Sequence, residues 1–156
     1  MNAHLRSITE MNTFWFVNSL DGVDEQQAWQ RTADNANSFG FVALHVANAR
    51  YGLARMAGLE VENPLAPFMK DVKKIDDLRE QPTIAQIRDA WNALAPELHD
   101  YVAMVDVERE LEHRFPIEDK TVGGLVLFII HHDGYHIGQL SMLRKTFGLP
   151  GTKLMR

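Results

Sequence analysis

The chain has 156 residues, no Cys, and 16 basic against 21 acidic side chains, a formal charge of −5. That length fits a single domain over residues 1–156 and a core that needs no covalent staples. The missing Cys excludes a disulfide scaffold, a thiolate nucleophile and any Cys-ligated metal or iron–sulfur site. A pI near 5.8 argues against nucleic acid as a partner, since such binders usually carry a basic face. The longest uncharged apolar run, Gly123 to Ile130, is far short of the ~20 residues that cross a bilayer. Residues 1–20 hold His4, Arg6 and Glu10 where a secretory signal would be uninterruptedly apolar. The expectation is a cytoplasmic protein with no membrane partner.

The first helical pattern covers residues 3–20, with Leu5, Ile8, Met11, Trp15 and Ser19 recurring at three- and four-residue spacing as its inner face. Residues 21–37 are polar and read as a connection with room for one short helical turn. A second helix follows over residues 38–57, capped by Asn37 or Ser38 and ended by Gly58. Pro64, Pro67 and Pro82 make residues 59–82 an excursion, with a short helix expected at 71–80.

Thr83 and Gln86 form a capping box that opens a third helix. Its inner face is Ile87, Trp91, Leu94, Leu98, Tyr101 and Val102. Residues 106–120 read as a loop with an extended piece. A fourth helix over residues 121–147 is stopped by Gly148 and Pro150. No alternating strands and no internal repeats compete with this pattern. The fold class is therefore all-α, an up-down four-helix bundle. Its first two connections are longer than bundle loops need, and long loops at one end of a scaffold often cover a site.

Seven His stand at 4, 45, 99, 113, 131, 132 and 136. His132 and His136 form an i, i+4 pair, which places two imidazoles on one helical face about 5–6 Å apart at Cβ. Chance alone would give roughly 0.3 such pairs among seven His in this length, so spacing is weak by itself. Position adds to it. The stripe Leu125, Ile129, His132, His136, Leu140, Leu143 and Phe147 puts the pair where a bundle helix carries Leu or Ile.

Buried imidazoles need partners, and either a metal or a hydrogen-bond network would supply them. His45, on the second helix near Phe41, Leu44 and Met56, is available as a third nitrogen. Three His near one end of a bundle leave a coordination position open for water or substrate, as catalytic sites do. Such a set suits Zn, Ni, Fe or Cu without choosing among them. Gln139 shares the face of the pair, and Asn48 lies one turn after His45. Either could orient a ligand or touch bound water, or be ordinary interior packing.

The segments FGFVALHVA at 39–47 and HDGYHIGQL at 132–140 resemble the DinB/YfiT-like family. The likeness covers most of the chain in helix order as well as motif. It implies a four-helix bundle with one divalent metal (Zn, Ni, Fe and Mn are not distinguished) on His45, His132 and His136. It further implies a metal-dependent enzyme of the thiol-cofactor S-transferase type, taking a low-molecular-weight thiol and a small-molecule substrate, often as a homodimer. A metal-dependent hydrolase and a non-catalytic metal-binding or stress-response protein are the alternatives. No catalytic residue beyond the ligands is assigned. Ile137 stands where most members have Arg, and Tyr135 where many have His; neither change removes a ligand.

The remaining His read differently. His131 points about 100° away from the pair and is expected not to ligate. His4, His99 and His113 have no spacing partner and are expected at the surface. HDGYH also resembles a zincin motif with Asp for Glu, but Asp is a methylene too short for that base and Gly134 weakens the helix. Trp15, Trp29 and Trp91 are expected in the core or a pocket wall. No Gly-rich phosphate loop follows a strand.

Overall fold

The computed structural model describes residues 2–112 and 117–155; His113 and Pro116, read above as part of a surface loop, lie outside them. Four long helices carry the chain: α1 (Ala3–Leu20), α3 (Phe39–Ala57), α5 (Ile84–Met104) and α6 (Val122–Thr146). Short helices α2 (Glu25–Trp29) and α4 (Ala66–Met69) and a 3₁₀ turn (Ile75–Asp77) lie in the connections. The described residues contain no strand; one antiparallel bridge, Glu110 to Thr121, supplies the extended piece expected before the last helix.

The helix ends follow from their caps. Ser38 Oγ accepts from the Phe41 N–H, Thr83 and Gln86 close the capping box, and Thr121 accepts from Gly124. Gly58 ends α3 at φ 112°, a left-handed value that a side chain would resist. In residues 71–80 only the 3₁₀ turn forms where a short helix was expected. No apolar face there repays a longer helix, and Asp77 caps the turn by accepting from the Lys73 and Lys74 N–H groups.

Cross-contacts give the helix directions. Asn2 meets Ala103, and Arg6 meets Asp100, so α1 and α5 are antiparallel. Asn12 bonds Ile130 and Ser19 bonds Arg144, so α1 and α6 are parallel. Tyr51 bonds Ala90 and Tyr101 bonds Ala57, so α3 and α5 are parallel as well. The path through the bundle is up, down, down, up. A parallel pair needs a return run, and residues 58–83 provide it; that is why this connection is long.

The core centres on Trp91, 1% exposed, stacked on Phe16 with ring centroids 4.0 Å apart. Phe39, Leu44, Leu98, Leu125 and Leu140 complete it. The inner face of α1 differs from the expected one. Thr9, Asn12, Phe16, Ser19 and Leu20 are buried, whereas Ile8 and Met11 are exposed. Only Ser19 of the expected stripe is fully buried; Leu5 and Trp15 are half-buried. The polar residues turn inward because each finds a buried partner: Thr9 meets Arg50, Asn12 donates to the Ile130 carbonyl, and Ser19 bonds Thr152 and Arg144.

Arg50 on α3 and Asp133 on α6 form a buried pair of opposite charges, at 0% and 1% exposure. Arg50 Nε lies 3.4 Å from Asp133 Oδ2. The guanidinium sits 3.9 Å over the Trp91 ring, and its Nη2 donates to Thr13 Oγ1 and the Thr9 carbonyl. Burial raises the Asp133 carboxyl to about 7 against the pull of Arg50, and it lowers Arg50. No helix among the described residues is long and apolar enough to cross a membrane.

Candidate metal centre

The α3–α6 contact is antiparallel, so the second turn of α3 faces the middle of α6. This brings His45 to His132 and His136. Their ligand atoms lie within 4.8 Å of one another, and together they could hold a metal ion. His45 Nε2 and His132 Nε2 are 3.3 Å apart. Two donors each 2.0–2.1 Å from one ion at a tetrahedral angle would stand about 3.3 Å apart, so this edge already has the length that an ion requires. The cluster lies between α3 and α6, in the second turn of the one and near the middle of the other.

Electrostatics keep the three rings neutral. Desolvation, then the neighbouring His136, lowers His45. Desolvation, reinforced by His136, His45 and His131, lowers His132 to about 4. Desolvation also lowers His136, partly offset by its bond to Gln139. Each ring therefore has a free lone pair at neutral pH, which is the form that binds metal.

Gln139 Oε1 accepts from His136 Nδ1 at 2.7 Å, and Gln139 Nε2 donates to the Tyr135 hydroxyl. This bond puts the His136 proton on Nδ1 and leaves the lone pair on Nε2, an orienting contact of the kind that metal-ligating His use. Asn48 forms no hydrogen bond to the three His among the described residues. Its Oδ1 accepts from Asn63 Nδ2 at 2.8 Å, and it lines the chamber beside the cluster. His132 Nδ1 is buried without a partner.

A chamber of about 400 Å³ opens on His45 and His136. Phe41, Val42 and Asn48 of α3 form one side. Asn37 comes from the first connection, and Met69, Val72 and Lys73 come from the second. Both long connections thus border the site. The chamber lining has apolar walls, two amides and one cation, and contains no carboxylate.

A model of the DinB superfamily matches residues 7–140, most of the chain. The chain belongs to the DinB superfamily. No curated protein matches it. In this superfamily member Ile137 is a core residue, 3% exposed, while Tyr135 is exposed and meets the site through Gln139 and through its ring, edge-on to His136 at 5.0 Å between centroids. His131 is exposed and outside the cluster, as expected, and His4 is also exposed. His99 departs from expectation: it is half-buried against Thr13 Oγ1 at 3.0 Å, and desolvation, then Arg50, lowers its pKa.

Arg50 and Asp133 were absent from the sequence-based site. Their signal was there to read, as opposite charges at the centres of two facing apolar stripes. Asp133 lies between Ile129 and Ile137, and Arg50 between Val46 and Ala54. Its pairing also withdraws Asp133 from any zincin-like role.

Proposed function

We propose that the protein is a divalent-metal-dependent enzyme that transfers a group between a small thiol and a small substrate. The observation that carries this reading is a cluster of three neutral imidazoles, two of which, His45 and His136, line a chamber large enough for a small molecule. His45, His132 and His136 would hold the ion, and Gln139 would fix the His136 tautomer. When bound, the ion would supply a Lewis acid that lowers the pKa of a thiol or a water. The chain has no Cys, so the sulfur must arrive on a small molecule.

The chamber lining favours a thiol over water as nucleophile. Water-activating sites of the zincin type place a carboxylate base beside the ion. Here the lining has none, and Asp133 is buried against Arg50. Lys73 adds positive charge at the chamber, which favours an anionic sulfur or substrate. Asn37 and Asn48 can orient polar groups of the bound molecules.

The test is an assay of the Zn-, Ni-, Fe- and Mn-loaded protein with dithiothreitol and 1-chloro-2,4-dinitrobenzene, beside hydrolysis of p-nitrophenyl acetate without thiol. Metal-dependent thioether formation, lost in His45→Ala, is the expected result. Metal-dependent ester hydrolysis alone would select the hydrolase. Neither activity in a protein that holds its metal tightly would select a non-catalytic metal-binding or stress-response role.

A further inference from the structure

A second cavity adjoins the chamber beside the three His. It has a volume of about 500 Å³ and runs along the outer face of α6, walled by Val42, Met142 and Leu143 with the Gly138 backbone between them. Asn37 and Val42 line both cavities, so the two share a wall. Gln139, which holds His136, also lines the second one. No charged side chain lines it.

Two details say that this groove is kept open. Gly138 lies within α6, where glycine disfavours the helix relative to any straight-chain residue. Yet a Cβ built there meets nothing within 4 Å, so packing does not require a glycine. Met142, one turn on, leaves 64% of its surface in water. The missing side chain and the exposed thioether leave an apolar groove whose lining includes Gln139, the partner of His136.

We propose that the groove is the subsite for a neutral, apolar arm of the substrate, an alkyl or aryl substituent on the molecule whose donor atom reaches the three His. The inference rests on the metal reading of the cluster. Adjacency to the chamber selects this occupant: the groove lies against the chamber at Asn37 and Val42, and Gln139, which holds His136, lines it. The uncharged lining selects its chemistry, and its size admits a chain of several carbons.

The test uses Co(II)-loaded protein and n-alkyl hydroxamic acids from acetohydroxamate to octanohydroxamate. Binding is followed by the visible Co(II) absorption and by calorimetry. Each added methylene should tighten binding about fourfold until the groove is full. Gly138→Leu should abolish that gain while keeping the acetohydroxamate affinity, the cobalt stoichiometry and a melting temperature at least equal to wild type. Met142→Asp, at an exposed position, should weaken only the long chains.

Acetohydroxamate binding with no gain along the series would overturn the subsite and leave the metal reading standing. Failure to bind cobalt would remove the metal reading and the subsite with it; bound cobalt with no spectral change and no heat with any hydroxamate would overturn the subsite alone. A dimer that Gly138→Leu dissociates, with no chain-length gain, would show a second copy covering the groove and overturn the proposal.

Discussion

Arg50 and Asp133 meet five residues along α3 from His45 and one along α6 from His132, so the same two helices are bridged twice. The inner bridge is closed to water and pairs opposite charges, with Trp91, Thr9 and Thr13 against the guanidinium. The outer bridge is half-buried, has three uncharged rings and opens on a chamber. Burial demands a partner in both places. In the first the chain supplies an opposite charge at 3.4 Å, although Arg50 Nε and Nη1 and both Asp133 oxygens have no hydrogen-bond partner among the described residues. In the second no opposite charge lies among the three rings, and a cavity opens beside two of them. A structural polar cluster and a ligand-seeking one are thus told apart by the opposite charge in one and the adjoining cavity in the other.

The sharpest way to break this contrast is to halve the inner bridge. Asp133→Ala strands a buried guanidinium, and Arg50→Met strands a buried carboxylate. Each is expected to cost about 3–5 kcal/mol in urea unfolding. The double variant Arg50→Met/Asp133→Leu should recover most of that loss, because apolar groups of similar volume need no partner. If the single variants unfold like wild type, the pair has no structural role.

The outer bridge should respond to added metal instead. His132→Ala is expected to change metal-free stability by less than about 1 kcal/mol, because the ring is only partly buried and removing it also removes a buried Nδ1 that has no hydrogen-bond partner. Zinc at a hundred times its dissociation constant should stabilise the wild type by about 2.7 kcal/mol and this variant not at all. Thermal shifts with and without zinc measure both.

Gln139→Ala removes the acceptor that orients His136. The expected result is a 10- to 100-fold loss of metal affinity in a competition titration with a chelating dye, at unchanged stoichiometry. No change would mean that the ring is held by packing alone.

The smallest expected effect is a pH slope. His132 in the folded protein titrates near 4, below its ordinary 6.5. Between those values the unfolded chain binds a proton that the folded chain does not. Metal-free stability therefore falls as pH drops through this window. Asp133 works in the opposite sense, since its raised carboxyl takes up a proton on folding as pH falls below about 7. Comparing wild type with His132→Gln at pH 7 and 5 isolates the histidine: the variant should lose less stability than wild type.

Much of the bundle could be read from local signals. Ser38, Gly58, Thr83 with Gln86, and Thr121 act through their own backbone neighbours, so the helix ends are local facts. The histidine cluster was legible because i, i+4 spacing is also local, and only His45 had to be brought from elsewhere. The inner face of α1 was not legible. Ile8 and Met11 looked like core, but Thr9, Asn12 and Thr13 are drawn inward by Arg50 and by the Ile130 carbonyl, partners 37 to 118 residues away. The parallel run of α3 and α5 was hidden for a related reason. Helix periodicity fixes which face is buried but not which direction the next helix takes. His99 was misplaced because its partner, Thr13, lies on that same misread helix.

The central claim is that His45, His132 and His136 hold one divalent ion. Elemental analysis of the untagged protein beside His45→Ala and His132→Ala tests it most directly. The expected result is about one equivalent of a transition metal in the wild type, retained through dialysis and lost in both variants. A wild type that holds no metal after soaking with Zn, Ni or Mn, or variants that keep theirs, would contradict it.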